Sequence, residues 1–409
     1  MTEARARALL TRLGTFLDQF TSCFGRHAHR TYASRYLQGL LNDSDRKSMQ
    51  PMHGRLSDPG SYQGLQHFIT HSTWDVRPFW RRLRELIPVR HGILAIDDTG
   101  LPKQGTASVG VQRQYCGAVG KVANCQIAVS TALIANGLAW VTSMELYLPQ
   151  LWAEDDERRA RAHIPRPLFF REKWRIAVAH VRTVLHAGFT LEAVVADAGY
   201  GNIAQFRAAL ERLGVGYVVA VPYHVGARLT AATPRESLAA LANSLAPSAW
   251  HRVRWGRGTK GPLEARFAAV RVRIAKSRSE RWLLCQESLV DGERQYYFSN
   301  LSSATPLKTL VRIARSRWAI EVQYRDLKSE LGLDHFEGRS YPGWTHHAVL
   351  AAMTFAFLQL ERRRHTDPLP TFPDIRNLVR EIMAALLWTA RPGWLKLAIN
   401  FQRNPPLRI

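Results

Sequence analysis

The chain has 409 residues, and its 56 lysines and arginines outweigh 33 aspartates and glutamates to give a net charge of +23 at pH 7. That length allows two or three domains around a large core, and the basic excess points to a polyanion, because each neutralised phosphate releases counterions. A membrane is not the expected partner: no stretch approaches the ~18 apolar residues of a spanning helix, and Met1-Thr2-Glu3-Ala4-Arg5 leads into no apolar signal segment. Cys23, Cys116, Cys125 and Cys285 form no Cys-x-x-Cys pair and lack histidines at zinc-finger spacing, so neither disulfides nor structural zinc is expected.

Residues 1 to about 90 read as helical. Leu9, Leu10, Leu13, Phe16, Leu17, Phe20 and Phe24 recur at helical spacing, and Leu37, Leu40 and Leu41 continue the pattern. From His91 the character changes. Gly92 to Ile96 is an apolar run of strand length ending in Asp97-Asp98-Thr99-Gly100, and a glycine-rich connection follows. Two strand-like runs, Gln126 to Ile134 and Leu138 to Leu148, flank Ala135-Asn136-Gly137, a strong hairpin signal. Arg171 to His186 predicts a helix stopped by Gly188, and Leu191 to Ala196 a buried strand ending in Asp197-Ala198-Gly199-Tyr200-Gly201. Asn202 is placed to cap a helix running to Leu213, and Gly216 to Val221 is a further strand.

Residues 223 to about 300 are polar and glycine-punctuated, with alternating runs at Phe267 to Ile274, Arg281 to Cys285 and Gln295 to Ser299. A single long helix is expected at Leu307 to Leu331, another at His347 to Arg362, a proline-containing linker (Pro368, Pro370, Pro373), and a last helix around Asp374 to Trp388. The order predicts an α/β fold: a mixed sheet with helices on its faces and a β-rich insertion before the long helix.

Three acids occupy informative places in that order. Asp97 ends the first strand, Asp197 ends the fourth, and Glu321 sits inside the long helix. Ligands of α/β sheets gather at strand ends, and neighbouring first and fourth strands would bring the two aspartates together. Carboxylates without an accompanying His or Cys are hard oxygen donors suited to Mg²⁺ or Mn²⁺. Two such ions ~4 Å apart can activate an attacking oxygen and stabilise a leaving one in phosphodiester displacement. Each acid also has a bland reading. Asp97-Asp98-Thr99 could be a cap or Asx-turn, Asp197-Ala198-Gly199 a plain turn, and the helix face of Arg317, Glu321, Tyr324 and Lys328 a solvated stripe of ion pairs. If the first strand runs on through Asp97 and Asp98, successive side chains point to opposite faces and only one of the two serves a given side.

The blocks Ile96-Asp97-Asp98-Thr99-Gly100-Leu101-Pro102-Lys103, Ala196-Asp197-Ala198-Gly199-Tyr200-Gly201 and Trp318-Ala319-Ile320-Glu321 with Lys328 resemble bacterial insertion-sequence transposases of the DDE superfamily, whose catalytic core is ribonuclease-H-like. The resemblance implies a metal-dependent DNA endonuclease and strand transferase that moves DNA by cut-and-paste transposition. It assigns catalysis and two Mg²⁺ (or Mn²⁺) ions to Asp97, Asp197 and Glu321, and its Asp-x-Thr pattern selects Asp97 over Asp98. Lys103, Arg317, Tyr324, Arg325 and Lys328 become candidates for DNA contact. Trp255 becomes a candidate platform for an unstacked base, with a core tryptophan as its bland alternative.

Relatives carry a tyrosine three residues before the arginine of this helix, where the present chain has Ala314. The implied organisation is a helical DNA-binding domain (1–90), a ribonuclease-H-like core in two parts (91–222 and 301–365), a β-rich insertion (223–300) and a C-terminal helical region (366–409). The implied partners are double-stranded transposon-end and target DNA, held by a homodimer on paired ends in the bacterial cytoplasm, associated with the nucleoid. The alternative is a catalytically inactive DNA-binding protein of the same fold.

Overall fold

A computed structural model describes residues 3–258, 261–274, 280–365, 369–391 and 393. Five helices open the chain: α1 (Glu3–Asp18), α2 (His27–Leu41), α3 (Met49–Gly54), α4 (Tyr62–Thr70) and α5 (Arg77–Leu86). Strands β1 (His91–Pro102), β2 (Gln112–Cys116), β3 (Lys121–Ala135) and β4 (Leu138–Leu146) come next, then short helices α6 (Gln150–Ala153) and α7 (Asp156–Arg161). The alternation that follows is α8 (Lys173–His186), β5 (Thr190–Ala196), α9 (Ala198–Gly201), α10 (Ala204–Arg212) and β6 (Tyr217–Val221). The segment after β6 holds β7 (Gly226–Arg228), β8 (Glu236–Ser237), α11 (Leu238–Asn243), β9 (His251–Gly258), β10 (Gly261–Ile274), β11 (Glu280–Glu287) and β12 (Arg294–Ser299). Helices α12 (Leu307–Ser316), α13 (Trp318–Ser329), α14 (Tyr341–Arg362) and α15 (Phe372–Ala390) complete the described fold.

One twelve-stranded mixed sheet runs β2-β3-β1-β5-β6-β12-β11-β10-β7-β8, with β4 on β3 and β9 on β10. β1 is parallel to β5, and β5 to β6. β3 and β4 are antiparallel additions on the other side of β1. The middle strands read as continuous apolar runs because both faces are covered. Leu94, Ile96, Val194, Ala196 and Val219 pack on Ile176, Val181, Phe206 and Leu210 of α8 and α10. Ile93, Ala95, Val195 and Val218 pack on Leu310, Val311 and Ile313 of α12 and on Ile320 of α13. The Asn136-Gly137 turn forms as read, with φ of 51° and 73° at its two central residues, the left-handed pair that a two-residue hairpin loop requires.

Three expectations need correction. The first strand does not stop at Asp97: β3 is long enough to pair with β1 from Ile93 to Pro102, and the glycine-rich connection contains β2. The helix read at Leu307 to Leu331 is two helices meeting at Arg317, where the Ser316 hydroxyl donates to the Ile313 carbonyl at 2.7 Å, a side-chain bond that bends helices. Asn202 does not cap α10, whose N-cap is Ile203 without a side-chain bond. The strands between β6 and α12 carry the central sheet onward, because β12 pairs with β6. Of the C-terminal region, Pro368 and residues 394–409 lie outside the described residues.

The opening helices share one core with α14 and α15: Leu13, Phe16, Leu37, Phe68 and Phe79 cluster with Trp344, Phe357 and Phe372. Where α2 ends, buried Lys47 donates to the Asn42 carbonyl at 2.6 Å, and Arg376 of α15 donates to the same oxygen at 3.0 Å. Burial, with Arg376 adding to it, pushes the Lys47 ammonium down to about 7. The unfolded lysine titrates near ~10.4, so between those values the unfolded chain binds more protons and stability rises with pH. The melting temperature is therefore expected to climb from pH 7 towards pH 9.5 in the wild-type chain, and Lys47→Met to flatten that climb. Thermal unfolding across the pH series measures both.

Candidate active site

The parallel pairing of β1 with β5 ends with Ile96 opposite Ala196, so the residues that follow lie side by side: Asp97, still within β1 and paired with Ser130 of β3, and Asp197, just past the end of β5. Glu321 lies one turn into α13. All three border one cavity of about 1080 Å³, together with Asp98, Lys173, Tyr200, Arg317, Tyr324, Arg325 and Lys328. Strand alternation separates the neighbouring aspartates. Ala95 faces the α12 side and Ile96 the α8 side, so Asp97 turns towards α13 and Asp98 towards α8. Accordingly Asp97 is bound by Arg317, and Asp98 by Lys173 at the start of α8. Both nevertheless border the cavity.

Asp197 serves two purposes. Its carboxylate accepts the Tyr200 backbone N–H at 3.2 Å and so caps the one-turn helix α9, yet it remains at the cavity wall. Gly201 at the end of that turn lies so close to β6 that a Cβ there would sit 1.9 Å from the Ala220 carbonyl oxygen.

The electrostatics are those of crowded acids. Burial, and next to it the charge of Asp197, pushes the Asp97 carboxyl up to about 7 against the lowering pull of Arg317. Burial also raises Asp197, with Asp98 adding to it and the Tyr200 N–H opposing. The Arg317 guanidinium spans two acids, giving Nη1 to Asp97 Oδ2 at 2.8 Å and Nη2 to Glu321 Oε1. Tyr200 Oη is buried on the same cavity with no hydrogen-bond partner. Hard oxygen donors, mutual repulsion, a cation already between two acids and an orphaned hydroxyl together fit a divalent ion. As arranged, though, no three His, Cys, Asp or Glu among the described residues are grouped to hold one, and the body of Arg317 fills the gap between Asp97 and Glu321.

The remaining candidates divide. Tyr324 is buried rather than offered to DNA. Its hydroxyl donates to the Asp97 carbonyl at 2.9 Å and shares a 2.7 Å bond with Ser130, the residue paired with Asp97 across the sheet. Lys103 points away from the acids and donates to the Asp334 and Phe336 carbonyls at 3.1 and 2.6 Å, with burial lowering its ammonium to about 8. Lys328 borders the cavity but gives its ammonium to the Gly100 carbonyl at 2.8 Å. Arg325 is the exposed cation of the rim, its side chain 64% accessible beside Asp326.

Trp255 is not at the cavity. It packs edge-on against Phe267, ring centres 5.8 Å apart, under the Arg315 guanidinium. Ala314 is buried in the cluster beneath α12, and the phenol that reaches the acids comes from Tyr324, ten residues further on. Sequence reasoning missed Lys173 and Tyr200 as cavity residues. Tyr200 was visible inside the Asp197 block, whereas nothing in the sequence around Lys173 announces it.

Two changes probe this geometry. Tyr324→Phe removes the bond to the Asp97 carbonyl and the bond to the Ser130 hydroxyl and is expected to cost about 1–3 kcal/mol of stability, from the pairing lost and the Asp97 and Ser130 groups left behind, measured by denaturant unfolding. Gly201→Ala is expected to destabilise by more than about 2 kcal/mol, because backbone must shift to admit the methyl, and to lower the unfolding midpoint even though the changed residue carries no charge.

A family model described as DDE superfamily endonuclease matches residues 19–240, and one described as transposase DDE domain matches residues 177–357. The curated "Probable transposase for insertion sequence element IS701" of Microchaete diplosiphon is 27% identical over 322 residues, covering 76% of this chain and 77% of the relative. The matched segments contain both aspartates and the glutamate of the cavity. The chain therefore belongs to the DDE superfamily, as a transposase of the insertion-sequence type.

Proposed function

We propose that this transposase performs cut-and-paste transposition, with Asp97, Asp197 and Glu321 as its catalytic acids. The observation that supports this most is the side-by-side placement of Asp97 and Asp197, just past the last pair of two parallel strands, on a cavity that Glu321 also borders. When bound, two Mg²⁺ or Mn²⁺ ions would polarise the scissile phosphate and make water, or a DNA 3′-hydroxyl, a competent nucleophile. These three residues would hold them.

The chain's own contributions follow from the geometry. Tyr324 and Ser130 hold the Asp97 backbone, and the Tyr200 N–H holds the Asp197 carboxylate, so two of the acids are preorganised before substrate arrives. Arg325 at the rim, and Arg317 when freed from its acids, supply donors for the DNA backbone. In the hydrolytic step water oxygen bonds to phosphorus and the 3′-oxygen of the strand leaves. In strand transfer that 3′-hydroxyl attacks a target phosphate, displacing another 3′-oxygen. Two transposon ends require two such sites, which is the reason for a homodimer on paired ends. The setting is the bacterial cytoplasm, on nucleoid DNA. Among the described residues no helix is long and apolar enough to cross a membrane.

The test uses a duplex carrying the DNA that borders the gene, with Mg²⁺ or Mn²⁺. Wild-type protein is expected to nick at the element ends and to yield joined target products. Asp97→Asn, Asp197→Asn and Glu321→Gln are each expected to reduce cutting by at least about 10³-fold while the duplex is still retained in a gel-shift. Ordinary cutting by any one of them removes that residue from the set. Retention of the duplex by the wild type without metal-dependent cutting would favour a binding protein that keeps the fold.

A further inference from the structure

Arg317 engages the very oxygens that the proposed function needs. One arm of its guanidinium is on Asp97 Oδ2 at 2.8 Å and the other on Glu321 Oε1. A divalent ion of the Mg²⁺ type binds carboxylate oxygen at about 2.0–2.1 Å and tolerates little departure from its preferred geometry. It cannot bridge Asp97 and Glu321 while the planar guanidinium lies between them. Arg317 is also held mainly by these two contacts, and it sits at the joint where α12 ends and α13 begins without a side-chain cap. The next residue, Trp318, is 61% exposed, so solvent and ligand reach the joint from outside. A phosphodiester offers the same guanidinium a bidentate partner of matching shape.

We propose that Arg317 is an internal cation that keeps the acid site closed to metal until DNA draws it away. In the free protein it neutralises Asp97 and Glu321, and an ion meets Asp197 without its two partners. When a DNA backbone phosphate enters the cavity, Arg317 transfers to it, and the two carboxylates become available together. Metal loading and DNA binding are then positively coupled, each strengthening the other by the same factor. This rests on the metal-binding part of the function proposed above, and it concerns the order of assembly rather than the chemistry.

The experiment measures Mn²⁺ affinity of the full-length protein by calorimetry and by the electron-spin signal of free Mn²⁺, with no DNA present. Arg317→Ala is expected to bind Mn²⁺ at least about tenfold more tightly than wild type, within the usual range of such couplings. Arg317→Gln, which keeps length and polarity but not charge, should do the same if the alanine variant folds poorly. Arg317→Lys should fall between, since one ammonium cannot span both acids. Adding Glu321→Gln to Arg317→Ala should erase the gain.

Equal Mn²⁺ affinity in the wild type and in folded Arg317→Ala or Arg317→Gln protein overturns the proposal, as does a gain that survives Glu321→Gln. A second arm adds the duplex carrying the gene's borders: wild-type Mn²⁺ affinity should rise, and that of Arg317→Ala should not. A duplex that binds the wild type without changing its Mn²⁺ affinity also overturns it. Failure of the wild type to bind any such duplex counts against the transposition reading instead, and the DNA-free comparison still decides the role of Arg317.

Discussion

The parallel pairing of β1 with β5 is the constraint on which the site depends. It sets Ile96 opposite Ala196 in the middle of a sheet buried on both faces. The pairing ends there, with Asp97 next along β1 and Asp197 next after β5. Two carboxylates at one point are poorly solvated and repel each other, which is why Asp97 holds its proton so far above the usual carboxylate range. The site is thus costly in the isolated protein, and the cost is offset locally by the guanidinium of Arg317 and the ammonium of Lys173. Residues left in unfavourable electrostatic surroundings of this kind are common at functional sites.

The positive charge of the chain is spent in two ways around the cavity. Arg317 and Lys173 neutralise acids directly. Lys103 and Lys328 instead satisfy backbone carbonyls, tying β1 to the segment after α13 and α13 to β1. Those two lysines fix the distance between the strand that carries Asp97 and the helix that carries Glu321. Among the expected DNA contacts it is Arg325 that is exposed at the rim, paired there with Asp326. A large net charge therefore says that a polyanion is the partner without saying which cations meet it.

The segment between β6 and α12 takes part in the same mechanical unit. Its strands extend the sheet through β12 on β6, and Trp255 on β9 lies under Arg315 of α12, whose guanidinium also reaches Gln286 on β11 at 3.2 Å. Trp255, the candidate base platform, sits in this contact between β9 and α12, apart from the acid cavity.

Much of this molecule was legible in its residues. Apolar runs ending in Asp97 and Asp197, the Asn136-Gly137 turn, and the helical stripe of Arg317, Glu321 and Lys328 are local patterns, set by backbone periodicity and turn chemistry that neighbouring residues alone can specify. The family resemblance rested on the same blocks. What they could not specify were contacts between distant segments. That Lys103 turns to carbonyls more than two hundred residues away, that Tyr324 hangs from β1 and β3, and that Lys173 meets Asp98 depend on how helices seat on the sheet. The break at Arg317 is of the same kind, for the sequence there is helical throughout. The sequence by itself determined which acids follow the apolar runs of the central strands, because alternation and burial are local. Only the tertiary structure decided that a guanidinium lies between two of them, because that requires α13 to dock against β1 at Asp97.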